Sequence, residues 1–419
     1  MTAQKQSWAE TDLVRRLCYS LDVAKSAIKR LAFDGFTDAE EPANNVRPEK
    51  VISESGVLLL AASTAIRHAD VGKRFREVAE LLIPHARSDR MFLGMCTMPS
   101  LAWDYAFGHI CLKRLGYPDT RFDSVLEMLG ESHSQPGSER PPYRVLEQIW
   151  ASRGLQVFEP AKQARGQTAP AVVRASMLCQ PMDLLGGSRQ DLYAFTHSLI
   201  YVTDLNIRPW RLPRQRNMIL ADAEAALARC LDDQDYDLAG ELLLTWPLTG
   251  RSWGASAAFG FRVLAHVEDR AGFLPSTSTR LERANLLQGD DRAKYLLATA
   301  YHTAYVMGLL CAVTLQPHRA PPKAIKGTNA SPGVSQMFLD KLDKDPQRPH
   351  WREEFDQLSQ PERDSLASML LTIGLRRSVI QRDFGRLYEL LQIGQMANLT
   401  NIPAASQAAD LLARLAHIS

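Results

Sequence analysis

The sequence predicts an all-α protein on three observations. Apolar residues recur at helical spacing through almost the whole chain, alternating strand patterns are nearly absent, and Gly and Pro stop signals interrupt the helical runs about every 20 to 25 residues. The 419 residues could form two or three average domains or one large helical array. With 45% apolar and 23% charged residues the composition is that of an ordinary globular chain, which disfavours disordered, collagen-like and polytopic membrane classes. Lys and Arg number 49 against 47 Asp and Glu, interspersed along the chain, so nothing points to nucleic acid or an anionic membrane as partner.

In chain order, residues 1–33 read as an amphipathic helix packed outside. Helical runs follow at 55–68, 72–87, 101–116, 121–130, 143–154, 190–205, 220–231, 236–246 and 255–272. Their connections carry Gly116 before Pro118, the SQPGSERPP stretch, RPWRLP and AGFLPS. Residues 295–315 are 21 positions without a formal charge, long enough to span a bilayer. They also contain His302, three Thr and three Tyr, and form the only such stretch, so an enclosed core helix is expected there rather than a membrane span. Residues 1–315 are read as one helical core and 316–349, rich in Pro, Lys and Gly, as a long surface connection. Residues 350–419 are read as C-terminal helices that close or cap the array.

Two kinds of helix alternate. Charged ones with one apolar stripe, such as 72–87 and 220–231, belong outside; 101–116, 190–205 and 295–315, apolar nearly all round, belong inside. An outer ring around an inner ring is an α/α toroid; an open helical-hairpin solenoid uses the same pattern. On FGFRVLAHVEDRAGFLP (259–275) and YHTAYVMGLLCA (301–312), the chain resembles the toroid fold shared by squalene and terpene cyclases, prenyltransferase β subunits and lanthionine cyclases. The resemblance implies a fold only: the aspartate-rich cyclase signatures and the Cys-His zinc set are missing. THSLIYVTD (196–204) is also similar to a segment of bacterial helical proteins, with no mechanism implied.

There is no dinucleotide or Walker glycine loop, no HExxH and no GxSxG. The acidic run 232–237 begins like a calcium loop, but Leu238 and Leu244 occupy its glycine and bidentate-acid positions, so it is expected to be a solvated connection. Six scattered cysteines with no CxxC pair read as reduced thiols, and the first residues lack a secretory h-region; a cytoplasmic location is expected.

Residues 190–205 are the most informative stretch. At about 100° per residue, Leu192, Phe195, Leu199 and Val202 share one face, while Tyr193, His197, Tyr201 and Asp204 share the opposite one. Such groups line a polar cavity, or are satisfied locally by carbonyls or an Arg. His302 and His109 lie in two other inner helices, each either hydrogen-bonded in the core or a ligand. His109, His197 and His302 together would make a catalytic zinc pattern; two His with Asp204 would resemble a non-haem iron triad; one axial His could hold a haem. Tyr105, four residues before His109, is its natural neighbour; Asp104, about 140° away, and Cys311, about 180° from His302, are not. Arg208, Trp210, Arg211, Arg214 and Arg216 form a rim that could steer an anionic substrate, or a plain connection. His68, His85, His133, His266, His318, His350 and His417 are expected in solvent.

The leading expectation is an enzyme of small-molecule metabolism, such as natural-product tailoring, with a divalent metal, Zn or Fe, in a cavity between inner helices. Its metal ligands would come from His109, His197 and His302, its catalytic groups are Tyr201, Asp204 and His197, and its substrate contacts are Tyr193, Tyr105 and Arg208. A metal-free cyclase or isomerase using Tyr, Asp and His as acid and base, and a non-catalytic helical-repeat binder, are the alternatives.

Overall fold

The computed structural model describes residues 7–31, 47–131, 139–154, 168–206, 211–325, 331–342 and 349–417. All regular elements among them are helices, and the extended pairing they contain is an isolated antiparallel bridge between Ser7 and Pro322. The protein is all-α.

The first helices are α1 (Glu10–Leu31), α2 (Pro48–Ala62), α3 (Ala69–Ala86), α4 (Asp89–Thr97), α5 (Ala102–Arg114) and α6 (Thr120–Glu131). In α1 the acidic first turn and basic last turn complement the helix dipole, and Leu13, Leu17, Leu21, Ala24 and Ile28 form its buried stripe. Next come α7 (Pro142–Gly154), α8 (Thr168–Ala175), α9 (Arg189–Thr203), α10 (Arg216–Asp232), α11 (Tyr236–Leu243) and α12 (Thr245–Thr249). A Ser188–Asp191 capping box starts α9, and Asp235 caps α11 through the Leu238 amide. The chain continues through α13 (Ala255–Ala271), α14 (Leu281–Leu286) and α15 (Gly289–Thr314).

Six of these helices pack in a closed circuit: α2 on α5, α5 on α7, α7 on α9, α9 on α11, α11 on α15, and α15 back on α2. The close approaches depend on missing side chains. A Cβ on Gly308 of α15 would lie 2.6 Å from Ser20 Cβ of α1 and 2.8 Å from Leu58 of α2; one on Gly108 of α5 would lie 2.5 Å from Ile52 of α2. Outside the circuit, α1 lies along α15 and α3, α3 backs α2 and α5, and α10 and α13 back α11. By length and composition α15 could cross a membrane, yet 78% of its most apolar window is buried against other helices.

The last helices are α16 (Val334–Leu342), α17 (His350–Asp356), α18 (Gln360–Asp364), α19 (Ala367–Gln381), α20 (Phe384–Met396) and α21 (Pro403–Ala416). They attach to the outer layer: α19 packs on α10 and α17 on α13, with Arg377 pairing Asp232 and Arg376 pairing Asp233. Within 316–349, expected to be a surface connection, α16 buries Phe338 and Leu339 against α19; its apolar positions are spaced for a helix, but the flanking Pro and Lys residues mask them. His266 and His350, expected in solvent, pair with Glu354 and Tyr236.

His109 needs a correction: it does not face a shared cavity with His197 and His302. Its Nδ1 accepts from Arg87 Nε at 3.3 Å and its Nε2 meets Asp123 of α6 at 2.9 Å, so both ring nitrogens are engaged where α3, α5 and α6 meet. Burial holds this imidazole below the ordinary histidine value, and Asp123 offsets only part of the shift. With a lowered folded-state value, His109 stabilises the fold above about pH 6.5, the ordinary value, and that contribution is lost as the pH falls below it. Burial shifts His85 and His350 the same way. His109→Gln is therefore expected to gain melting temperature relative to the wild type as the pH falls from about 7 to 5.5. Parallel melting curves for the two proteins across that window would remove His109 from this role.

Candidate functional site

The site is assembled on α11 and α15. Asp237 and Glu241 stand four residues apart on α11, hence on one helical face, and both are buried, Glu241 to 3% exposure. Across from them His302 of α15 places Nδ1 2.7 Å from Asp237 Oδ1 and Nε2 3.4 Å from Glu54 Oε1 of α2. One ligating atom from each of Asp237, Glu241 and His302 lies within 4.8 Å of the other two. The second Glu54 oxygen accepts the Tyr301 hydroxyl at 2.8 Å, and the second Asp237 oxygen meets Arg189 at 3.4 Å. With no ion bound, burial would lower the His302 imidazole, but the charges of Asp237 and Glu54 outweigh it and raise it to about 10. Asp237 moves the opposite way, below its ordinary range, because His302 and Arg189 overcome its burial.

The α9 face continues the site. Thr196 donates to Glu241 Oε2 at 2.5 Å, and His197 Nδ1 lies 3.1 Å from the Tyr193 carbonyl and 3.4 Å from the same Glu241 oxygen. An Nδ1–H donating to that carbonyl leaves Nε2 as the open acceptor, and it has no partner among the described residues. Tyr193 stacks on His197 at 3.7 Å between ring centres, and Tyr143 of α7 meets both rings edge-on. One turn on, the Tyr201 hydroxyl donates to Glu147 Oε1 of α7 at 2.6 Å, while Arg144 holds Oε2 at 2.7 Å. Burial and Glu147 push the Tyr201 phenol well above its ordinary value, so it stays protonated.

Asp204 is placed elsewhere. It caps the C-terminus of α9 in a left-handed conformation (φ 49°), followed by Leu205 at φ 51°. Its Oδ1 accepts from Arg114 of α5 at 2.7 Å and from Trp150 of α7 at 2.6 Å. Those two donors hold a backbone conformation that non-glycine residues adopt at a cost, and they turn the carboxylate away from His197. The turn at the end of α9 breaks the helical wheel that had put Asp204 beside Tyr201. Tyr105 faces α4 instead, its hydroxyl on Met98 Sδ at 3.5 Å and its ring where a Cβ on Gly94 would sit. Arg208, Trp210 and His133 lie outside the described residues.

The structure thus gathers His302 and, through Glu241, the Tyr193–His197–Tyr201 face, and sets His109, Asp204 and Tyr105 apart. Sequence reasoning missed Glu54, Glu147, Asp237 and Glu241. Asp237 belongs to the acidic run expected to be solvated, yet it is buried, as is Asp235. The available signal was a pair of acids four residues apart inside YDLAGELLLTW, a stretch otherwise apolar enough to be core.

Residues 20–312 match the family described as a domain of unknown function, DUF6895. The chain belongs to the DUF6895 family. The matched DUF6895 span runs through the six-helix circuit to the last turn of α15 and includes every residue of the cluster, from Glu54 to His302. No curated protein and no solved structure matches this DUF6895 chain. Chemically, the cluster offers two carboxylates and an imidazole to a cation, an open imidazole nitrogen as base, and tyrosine hydroxyls as proton donors.

Proposed function

We propose that this DUF6895 protein is an enzyme of small-molecule metabolism, working in the cytosol, whose interhelical cluster holds a divalent metal ion, Zn or Fe, through Asp237, Glu241 and His302. The observation that carries the reading is the burial of Asp237 and Glu241, with His302 half-buried beside them, together with too few positive charges to match the carboxylates. Four carboxylates, Glu54, Asp235, Asp237 and Glu241, are answered among the described residues by two fixed cations, Arg189 and Lys50. Even with His302 positive in the metal-free protein one negative charge remains, and two once a metal displaces that proton; uncompensated buried charge is costly. A divalent ion supplies that charge, and three protein ligands leave coordination positions open for substrate or water. In this reading His197 Nε2 acts as base and Tyr201 as proton donor. The closed circuit of α2, α5, α7, α9, α11 and α15 supports an α/α toroid arrangement, with the cluster inside its inner ring.

One observation favours a metal-free acid–base enzyme: between Asp237 and Glu54, His302 can itself carry a positive charge. A thermal-shift titration separates the two. Chelator-treated protein supplied with Zn2+ or Fe2+ at about 100 times the dissociation constant gains about 2.7 kcal/mol, or about 5 °C at roughly 2 °C per kcal/mol. Glu241→Gln is expected to abolish the shift. An unchanged melting temperature in the wild-type protein would favour the metal-free enzyme.

A further inference from the structure

A second cavity, away from the interhelical cluster and independent of what that cluster binds, has a volume of about 400 Å3 and is lined by Trp8, Arg262, His266, Asp269, Arg270 and Lys323. Arg262, His266 and Arg270 lie four residues apart in succession, so α13 presents all three along one face. The opposite wall is a clip in which Trp8 N donates to the Pro321 carbonyl at 2.9 Å beside the Ser7–Pro322 bridge. This clip brings the Lys323 ammonium to 5.7 Å from the Trp8 ring centre.

We propose that this cavity binds the phosphate group of a small phosphomonoester. The lining carries three fixed cations, Arg262, Arg270 and Lys323, and one carboxylate. That carboxylate, Asp269, is already taken: Arg15 donates to one oxygen at 2.9 Å and Arg16 to the other at 2.7 Å. Arg262 uses Nε on Glu354 at 3.0 Å, and Arg270 uses Nη1 on Glu353, so each keeps further N–H donors. His266 engages Glu354 through Nδ1 and leaves Nε2 open. Lys323 has no carboxylate partner among the described residues. A flexible ammonium with no counter-ion, set over an aromatic ring and facing two guanidinium groups, fits a tetrahedral dianion better than a planar monoanion.

Calorimetric titration of the full chain with inorganic phosphate and with glycerol 3-phosphate tests this. Both are expected to bind saturably at low salt, and acetate at least about tenfold more weakly. Lys323→Gln and Arg270→Gln are each expected to weaken phosphate binding about five- to tenfold. Because Lys323 has no ion-pair partner, its variant should melt with the wild type, so weakened binding cannot be ascribed to misfolding. Three results would each overturn the proposal: no saturation by about 20 mM phosphate, acetate binding as tightly as phosphate, or titrations unchanged in both variants.

Discussion

Arg16→Met is expected to destabilise the protein by about 3–5 kcal/mol, lowering the melting temperature by roughly 6–10 °C at about 2 °C per kcal/mol. Arg16 is fully buried on α1 and pairs with Glu268 of α13, itself 5% exposed; it also reaches Asp269 at 2.7 Å, Asp12 at 3.2 Å and the Ala265 carbonyl at 3.3 Å. Removing the guanidinium leaves the Glu268 carboxylate out of water without a partner, the costly half of a broken buried pair. Because the loss comes from the stranded charge, the double variant Arg16→Met, Glu268→Leu should recover most of it. Differential scanning calorimetry checks both proteins. A single variant within about 1 kcal/mol of wild type would mean that the pair ties α1 to α13 no more strongly than a surface ion pair.

Glu241→Gln and Asp237→Asn are each expected to lower divalent-metal affinity by at least about 100-fold, since even outer partners of metal ligands are worth 10- to 100-fold. Thr196→Val, which removes the hydroxyl that orients Glu241, should fall in that smaller range. Glu241→Gln also separates metal binding from folding. Among the described residues Glu241 meets the Thr196 hydroxyl and the His197 ring and no fixed cation, so a neutral amide of the same shape relieves a buried charge in the metal-free protein. The metal-free variant should be at least as stable as the metal-free wild type and yet fail to gain stability from metal. Competition titration with a chromophoric chelator measures the affinities. An affinity within about threefold of wild type, well short of the loss expected even for an outer partner, would remove Glu241 from the ligand set.

Much of the fold was legible because helices announce themselves locally. The nearly uniform apolarity of 295–315 marks α15 as enclosed before any partner is known, and the 193–197–201 spacing puts two tyrosines and a histidine on one face of α9. Periodicity does not reach across the chain. Glu54 and His302 are 248 residues apart and meet only because α15 packs back on α2, and nothing around Glu54 in SESGVLLLAA distinguishes it from a surface acid. His109 shows the converse: the wheel puts it inside, but only the packing of α3 and α6 shows that Arg87 and Asp123 occupy both nitrogens. At Asp204 two successive left-handed residues end the helix before the wheel can be extended, and composition carries no sign of that.

Elemental analysis of the purified 419-residue chain, beside Asp237→Asn and Glu241→Gln prepared in the same way, tests the metal-centre proposal most directly. About one equivalent of a divalent transition metal per chain in the wild type, and close to none in either variant, is the expected result. Wild-type protein free of metal after growth in zinc- and iron-supplemented medium, or variants that retain the full equivalent, would contradict it.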